Sequence, residues 1–534
     1  MIEPSGMMKG AAATALVLGL AGSPPAAADS IGEVDFRASC TSAAQADFDH
    51  ALGLMHHMMY VQARAAFEAI IENDPDCAMA YWGVANTLFQ PLWGTRPSAD
   101  DLERGWRHVE AARERVETTR EEVLVEATAA FFREPDQADF VTRIHRWIEA
   151  MEEAYDAYPD DPDIAALYSL SRLTLAQRVA ERDALFDEAE AILRETYEAI
   201  PNHPGAIHYS IHATDVDGRA ENALDMVEAY AAIAPEVPHA LHMPSHIYVR
   251  LGDWPAVIDW NTRSAEAALR HPVNGAVSLH YIHALDYLVY AHLQQGEDAK
   301  AEAVVEDALA VERHQPSFPS AFHAAAMPAR VAVEQRDWKA ALELEPRTPS
   351  YLPWDASPWA EGLTWYARGL GAAHTGDLDA ATEAVEQLKA LSRSATEAGD
   401  DSMAAYIDID RLVLAGRIAF AEGDGQRAVE LTRSAAELEA TTEKHPVSPG
   451  ALLPPLEALG DLLMDLDRPA EALEAYAASN AIWPGRYNTL LGAALAAEAV
   501  GDRKTARNHA EALLAIAGHS ERDALREVRE IAQG

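Results

Sequence analysis

The sequence predicts an all-α fold, a solenoid of antiparallel helix pairs, and three observations carry that expectation. A phrase of Gly-Asp, a short gap, Ala, three residues and a bulky residue recurs as GDWPAVIDW from Gly252, GDLDAATEAV from Gly376, GDGQRAVEL from Gly423 and GDRKTARNHA from Gly501, with GEDAKAEAVV from Gly296 as a variant. Prolines close a second helix at Pro75, Pro201, Pro235 and Pro484, and the two landmarks keep step, with Pro201 to Gly218 and Pro235 to Gly252 both spaced by 17 residues. Apolar residues recur at helical rather than strand spacing, and a fixed period of this length marks a repeat architecture.

The elements follow in order. Residues 1–28 read as an export signal: Lys9, the apolar run from Ala11 to Leu20, then Pro24, Pro25 and small residues before cleavage after Ala28. No later window approaches the roughly 20 apolar residues of a membrane span, so the mature chain is expected to lack one and to lie in the periplasm or outside the cell. Export gives the only two cysteines, Cys40 and Cys77, a meaning. One precedes the first mature helix and the other follows its partner, so a disulfide is expected, with two unrelated thiols as the alternative.

Residues 29–344 read as a first array of helix pairs. Within it, residues 91–162 depart from the period and look like modified or inserted helical hairpins, opened by a capping box at Ser98 and Asp101. Residues 345–360 carry Pro346, Pro349, Pro353 and Pro358 and cannot be helical throughout. They read either as a Pro-rich connector or as a lid folded over a groove. Residues 361–534 resume the pattern, so the chain is one continuous solenoid or two blocks with a connector between them.

Charge narrows the partners. Lys and Arg total 42 against 86 Asp and Glu, a formal net charge of −44, which disfavours nucleic acid and anionic membranes and favours cations, or simply serves solubility.

Each unit resembles the tetratricopeptide repeat, a family of helical solenoids. Phe48 to Pro75 carries Ala63, Phe67 and Pro75 in the family's spacing. The resemblance covers most of Ala46 to Ala517, and the unit around LMDLDRPAEALEAY lacks the usual turn glycine. It implies that the first helix of each unit lines a concave groove, and that residues 13, 10 and 6 before the turn glycine point inward. Those residues are Gly205, His208 and His212 in one unit, His239, His242 and His246 in the next, and His283, Asp286 and Tyr290 in the third. His323 follows, with Arg336 in place of its glycine. Earlier in the chain the same face offers Trp82, Asn86 and Gln90, with His56 near the end of its helix. The chain also resembles a set of bacterial exported repeat proteins bearing HPGxxHYxIHxxD, HALHMPSHIYxRLG and HxxDYLxYAxLQ blocks, matched from His203 to Gln294; such proteins often have histidine where this chain has Gln90.

Histidines cluster in residues 203–283, where nine of the 21 fall, against roughly three for a uniform scatter. An i,i+4 pair shares a helix face, and two pairs in register on neighbouring helices are within reach of one ion. His208, His212, His242 and His246 are therefore the candidate ligand set, with His283 and Asp286 as replacements or orienters. Nitrogen and oxygen donors favour zinc, copper, iron or nickel. The alternatives are a polar groove that hydrogen-bonds its ligand, or imidazoles that read a carboxylate. Nucleophile-elbow, phosphate-loop, dinucleotide, HExxH and CxxC signatures are absent from the sequence.

Three functions are compatible with this pattern. The first is an exported binding protein that takes a peptide, protein or small molecule in its groove, with or without a metal. The second is a metal-dependent enzyme with Asp286 as base and Tyr290 as proton donor. The third is an envelope scaffold.

Overall fold

A computed structural model describes residues 31–34, 36–93, 96–134, 137–179 and 182–534, and the expected signal segment lies outside them. Among the described residues there are twenty-six α-helices and, in place of strands, two isolated bridges, Val273 with Ala276 and Val277 with His314. The helices fall into successive antiparallel pairs. These are α1 (Gln45–His56) with α2 (Tyr60–Asn73), α3 (Ala78–Asn86) with α4 (Ala99–Arg113), α5 (Thr119–Phe132) with α6 (Phe140–Ala157), and α7 (Pro162–Ala176) with α8 (Asp183–Ala199). Next come α9 (Pro204–Thr214) with α10 (Leu224–Ile233), then α11 (Pro238–His242) and α12 (Pro244–Leu251) with α13 (Trp254–Ala268), then α14 (Leu279–Gln294) with α15 (Asp298–Leu309). The last units are α16 (Phe318–Glu334) with α17 (Trp338–Glu343), α18 (Pro358–Thr375) with α19 (Leu378–Glu397), α20 (Asp401–Ala421) with α21 (Gly425–Ala440), α22 (Pro455–Asp465) with α23 (Pro469–Ile482), and α24 (Tyr487–Ala499) with α25 (Arg503–Ala517), capped by α26 (Leu525–Gln533). This is an all-α solenoid of paired helices.

The Gly-Asp phrase has a local cause. Gly252, Gly296, Gly376, Gly423 and Gly501 all have φ between +65° and +89°, the left-handed turn that ends a first helix. The aspartate that follows caps the second helix: Asp253, Asp377, Asp424 and Asp502 accept from the backbone N–H three residues on. Where glycine is missing the turn is kept. Arg336 and Asp467 sit at φ +57° and +58°, and Asp337 still caps α17.

Three findings differ from the sequence reading. Residues 91–162, read as modified or inserted hairpins, continue the array without interruption, for α3 packs on α4, α5 on α6 and α6 on α7. Nor does the core break at residues 345–360: one apolar cluster runs from Ala265 to Ala458 and takes in Leu352, Trp354 and Trp359. α16 packs directly on α18, so the prolines shape a turn within a continuous solenoid.

The third difference is closure. The C-terminal units fold back on the middle of the array along a polar seam. Trp254 Nε1 donates to Gly485 O at 2.8 Å, the Tyr487 N–H to Gln294 Oε1 at 2.9 Å, and Ser520 Oγ to Gly296 O at 2.8 Å. The fully buried Arg486 guanidinium meets Glu334 at 2.5 Å, Glu457 at 2.9 Å and the Tyr290 hydroxyl at 2.9 Å. A strap, residues 441–454, joins α21 to α22 and enters the concave side. Lys444 Nζ reaches Asp215 at 2.9 Å, Pro446 O accepts from Tyr287 at 3.2 Å, and Gly450 O accepts from Arg330 at 3.1 Å.

Candidate metal centre

The inner helices α9, α11, α12, α14 and α16 carry the histidines, and burial follows from their place between neighbouring units. Pro244 breaks the inner helix between His242 and His246, since a proline nitrogen cannot donate within a helix. The structure divides the expected four-histidine set. His242 and His246 take His283 as third member, while His208 and His212 take His239; within each trio the candidate donor atoms lie within 4.8 Å of one another. Ligands at about 2.0–2.1 Å from one ion stand at most about 4.2 Å apart, so the trios are near coordination geometry as they stand. No single group takes in all four expected ligands; the ring centres of His212 and His246 are 6.2 Å apart, those of His242 and His283 4.0 Å.

Hydrogen bonds fix the tautomers in the second trio. Asn261 donates its Nδ2 to Val257 O at 2.8 Å, so its Oδ1 is the atom that faces His242 Nδ1, 2.7 Å away, and the proton sits on that nitrogen. His246 Nδ1 donates to Asp215 Oδ2 at 2.9 Å. Asp215 is itself held by Arg250 and Lys444, both at 2.9 Å. Both Nε2 atoms are therefore lone pairs, and they face each other at 3.0 Å. His283 is set by a longer relay. Arg330 holds Asp286 at 3.1 Å, Asp286 takes the Nδ1 proton of His323 at 2.9 Å, and His323 Nε2 accepts from His283 Nδ1 at 2.7 Å. This leaves His283 Nε2 unprotonated. Histidines backed by carboxylates in this way are the usual outer layer of a metal site.

Burial and then neighbouring imidazoles push His208, His239, His242 and His283 well below the ordinary histidine range. Burial takes His212 down to about 3, and it also lowers His246 against the upward pull of Asp215. The rings are neutral near pH 7, the form that ligates metal.

A third group, His56, Asp163 and His203, has similar composition but different chemistry. Asp163 Oδ1 accepts from His56 Nε2 at 3.0 Å and His203 Nε2 at 3.3 Å. The other ring nitrogens take the Tyr209 hydroxyl at 3.2 Å and the Ala206 N–H at 3.1 Å. With every ring nitrogen engaged, the group ties α1, α7 and α9 together. Burial raises the carboxyl, but its His203 and His56 donors prevail and hold it ionised.

The other expected residues sort by contact. Asp286 faces Arg330 and His323, as an orienter would. Tyr290 lies in the seam, its hydroxyl taken by Arg486, and does not reach the trios as a proton donor would have to. Trp82 and Asn86 are packing residues that bond Leu124 O and Thr128. Gln90 is only partly buried and stands outside both trios. Cys40 and Cys77 form a disulfide. Sequence reasoning passed over Tyr287, whose ring centre is 4.5 Å from that of His242, and Asp215, Asn261 and the strap. The HALDYLVY phrase contains the tyrosine, but only the packed helix shows which tyrosine turns inward.

Strap residues His445, Pro446 and Val447, with Trp93, Leu279 and Phe318, close a cavity of about 30 Å³ onto which His212, His239, His246 and His283 open. That is room for about one water. The concave side above the histidines is thus filled by the chain itself, where the sequence suggested an open groove.

No family model and no curated protein matches the chain. Among solved structures, a chain from the crystal structure of the APC/C hetero-tetramer Cut9-Hcn1 is similar at 15% identity over 90% of this chain and 89% of that one, with a TM-score of 0.32. Among the described residues no helix is long and apolar enough to cross a membrane.

Proposed function

We propose that this chain is an exported binding protein of the tetratricopeptide type that holds a transition metal on His242, His246 and His283, beneath the strap on its concave side. The observation that carries the reading is the pair of Nε2 lone pairs facing at 3.0 Å, each fixed by a donated Nδ1 proton. Two lone pairs at that distance repel, and a shared cation turns the contact into chelation. Three nitrogen donors favour zinc, copper, iron or nickel, and both cysteines are in a disulfide and unavailable as thiolates. The disulfide and the leader-like residues 1–28 support an oxidising location outside the cytoplasm. The strap leaves space for a small ligand rather than a peptide at this point of the concave side. The outer faces of the solenoid remain the surface for a protein partner.

A second reading is supported by the same trio. Three ligands leave a coordination position open toward the cavity, as in catalytic sites, with Tyr287 beside it. Elemental analysis of protein purified without an affinity tag tests both. We expect stoichiometric metal, with the equivalent held by His242, His246 and His283 lost in a His242→Gln, His246→Gln variant of unchanged helicity. Wild-type protein that stays metal-free after growth with each of the four metals overturns the proposal.

A further inference from the structure

We propose that the site is a two-ion centre, with a second transition-metal ion on His208, His212 and His239. The inference rests on the single-ion reading above and extends it. His208 Nδ1 donates to the backbone oxygen of His56 at 2.6 Å, which fixes the proton there and leaves Nε2 as a lone pair. That Nε2, the Nε2 of His212 and both nitrogens of His239 are buried without any hydrogen-bond partner. His208 and His239 are almost wholly enclosed, at 0% and 2% exposure. Buried polar atoms without partners are costly to leave unsatisfied, so several converging beside one cavity mark a place for a bound ion or water. The His56, Asp163 and His203 group supplies the contrast, for its ring nitrogens are all satisfied within the protein.

The two trios share one space. The water-sized cavity is lined by His212 and His239 from one and by His246 and His283 from the other. The ring centres of His239 and His242, one from each trio, are 6.1 Å apart. Two imidazoles from each trio thus face a single small cavity, the arrangement by which two ions act on one bound water or oxygen ligand. No carboxylate belongs to either trio; Asp215 and Asp286 stand behind the rings instead.

Cobalt(II) titration of chelator-stripped wild-type protein, followed by its visible absorption, tests the proposal without any variant. We expect an end point at two equivalents per chain. His239→Gln should then bind one equivalent and His283→Gln one, each retaining the wild-type helical circular dichroism. An end point at one equivalent that survives His239→Gln but is lost in His283→Gln overturns the two-ion centre and leaves the single site standing. No binding in the wild type overturns both readings, and one equivalent lost only in His239→Gln does so too.

Discussion

Asn261 illustrates how one residue decides the chemistry of another. Its amide is oriented by Val257 O, and that orientation dictates which nitrogen of His242 carries the proton. Asn261→Leu should therefore free the ring to take the wrong tautomer and weaken metal binding by about 10- to 100-fold. Asn261→Asp, which keeps an acceptor, should stay near wild type. Competitive titration against a chelator reads both, and equal affinities in the two variants would remove the proposed role. Nothing in the sequence around Asn261 announces it, because its partner lies 19 positions away across a helix pair. The histidines themselves were legible, since inward positions recur at a fixed offset from the turn glycine. Their grouping was not, because it depends on the helix break at Pro244 and on rotamers.

At the scale of elements, the pairs were readable because a left-handed glycine and a capping aspartate are local requirements that leave a local signature. Residues 91–162 escaped that logic, since their helices start at other caps, with Thr118 opening α5 and Asp139 opening α6. The strap escaped it as well. A turn-rich run such as EKHPVSPG reads as an ordinary loop until the groove it enters is known. Its anchor is Lys444, whose buried ammonium pairs with the same Asp215 that orients His246. Lys444→Met should loosen that anchor and speed removal of bound metal by a strong chelator about tenfold, the effect of roughly 1.4 kcal/mol on a barrier. An unchanged removal rate would mean that the strap does not control access.

For the whole molecule, the buried imidazoles set the pH response. Burial lowers His57, His280, His374 and His445 to about 3, whereas an unfolded chain protonates each near 6.5. Below pH 6.5 the unfolded state binds protons that the folded state refuses, so stability falls as pH drops from 6.5 toward 3 and is fully present above 6.5. The melting temperature of metal-free protein should be level from pH 7 to 8 and decline steeply between pH 6 and 5. A flat profile through pH 5 would show that these rings are not held neutral. Tertiary closure lay beyond the sequence for a simple reason: Arg486 finds Glu334 across 152 positions, and no repeat pattern encodes a contact between units so far apart.

That closure alters how the chain comes apart. An open solenoid is a row of nearest-neighbour contacts and frays from its ends, unit by unit. Here the last units are pinned to the middle through Arg486, Tyr487, Ser520 and Arg522, so the terminal helices cannot peel away without first surrendering buried charge pairs in the interior. Unravelling from the C-terminal side therefore has to break this polar lock before it can reach the units that carry the histidines.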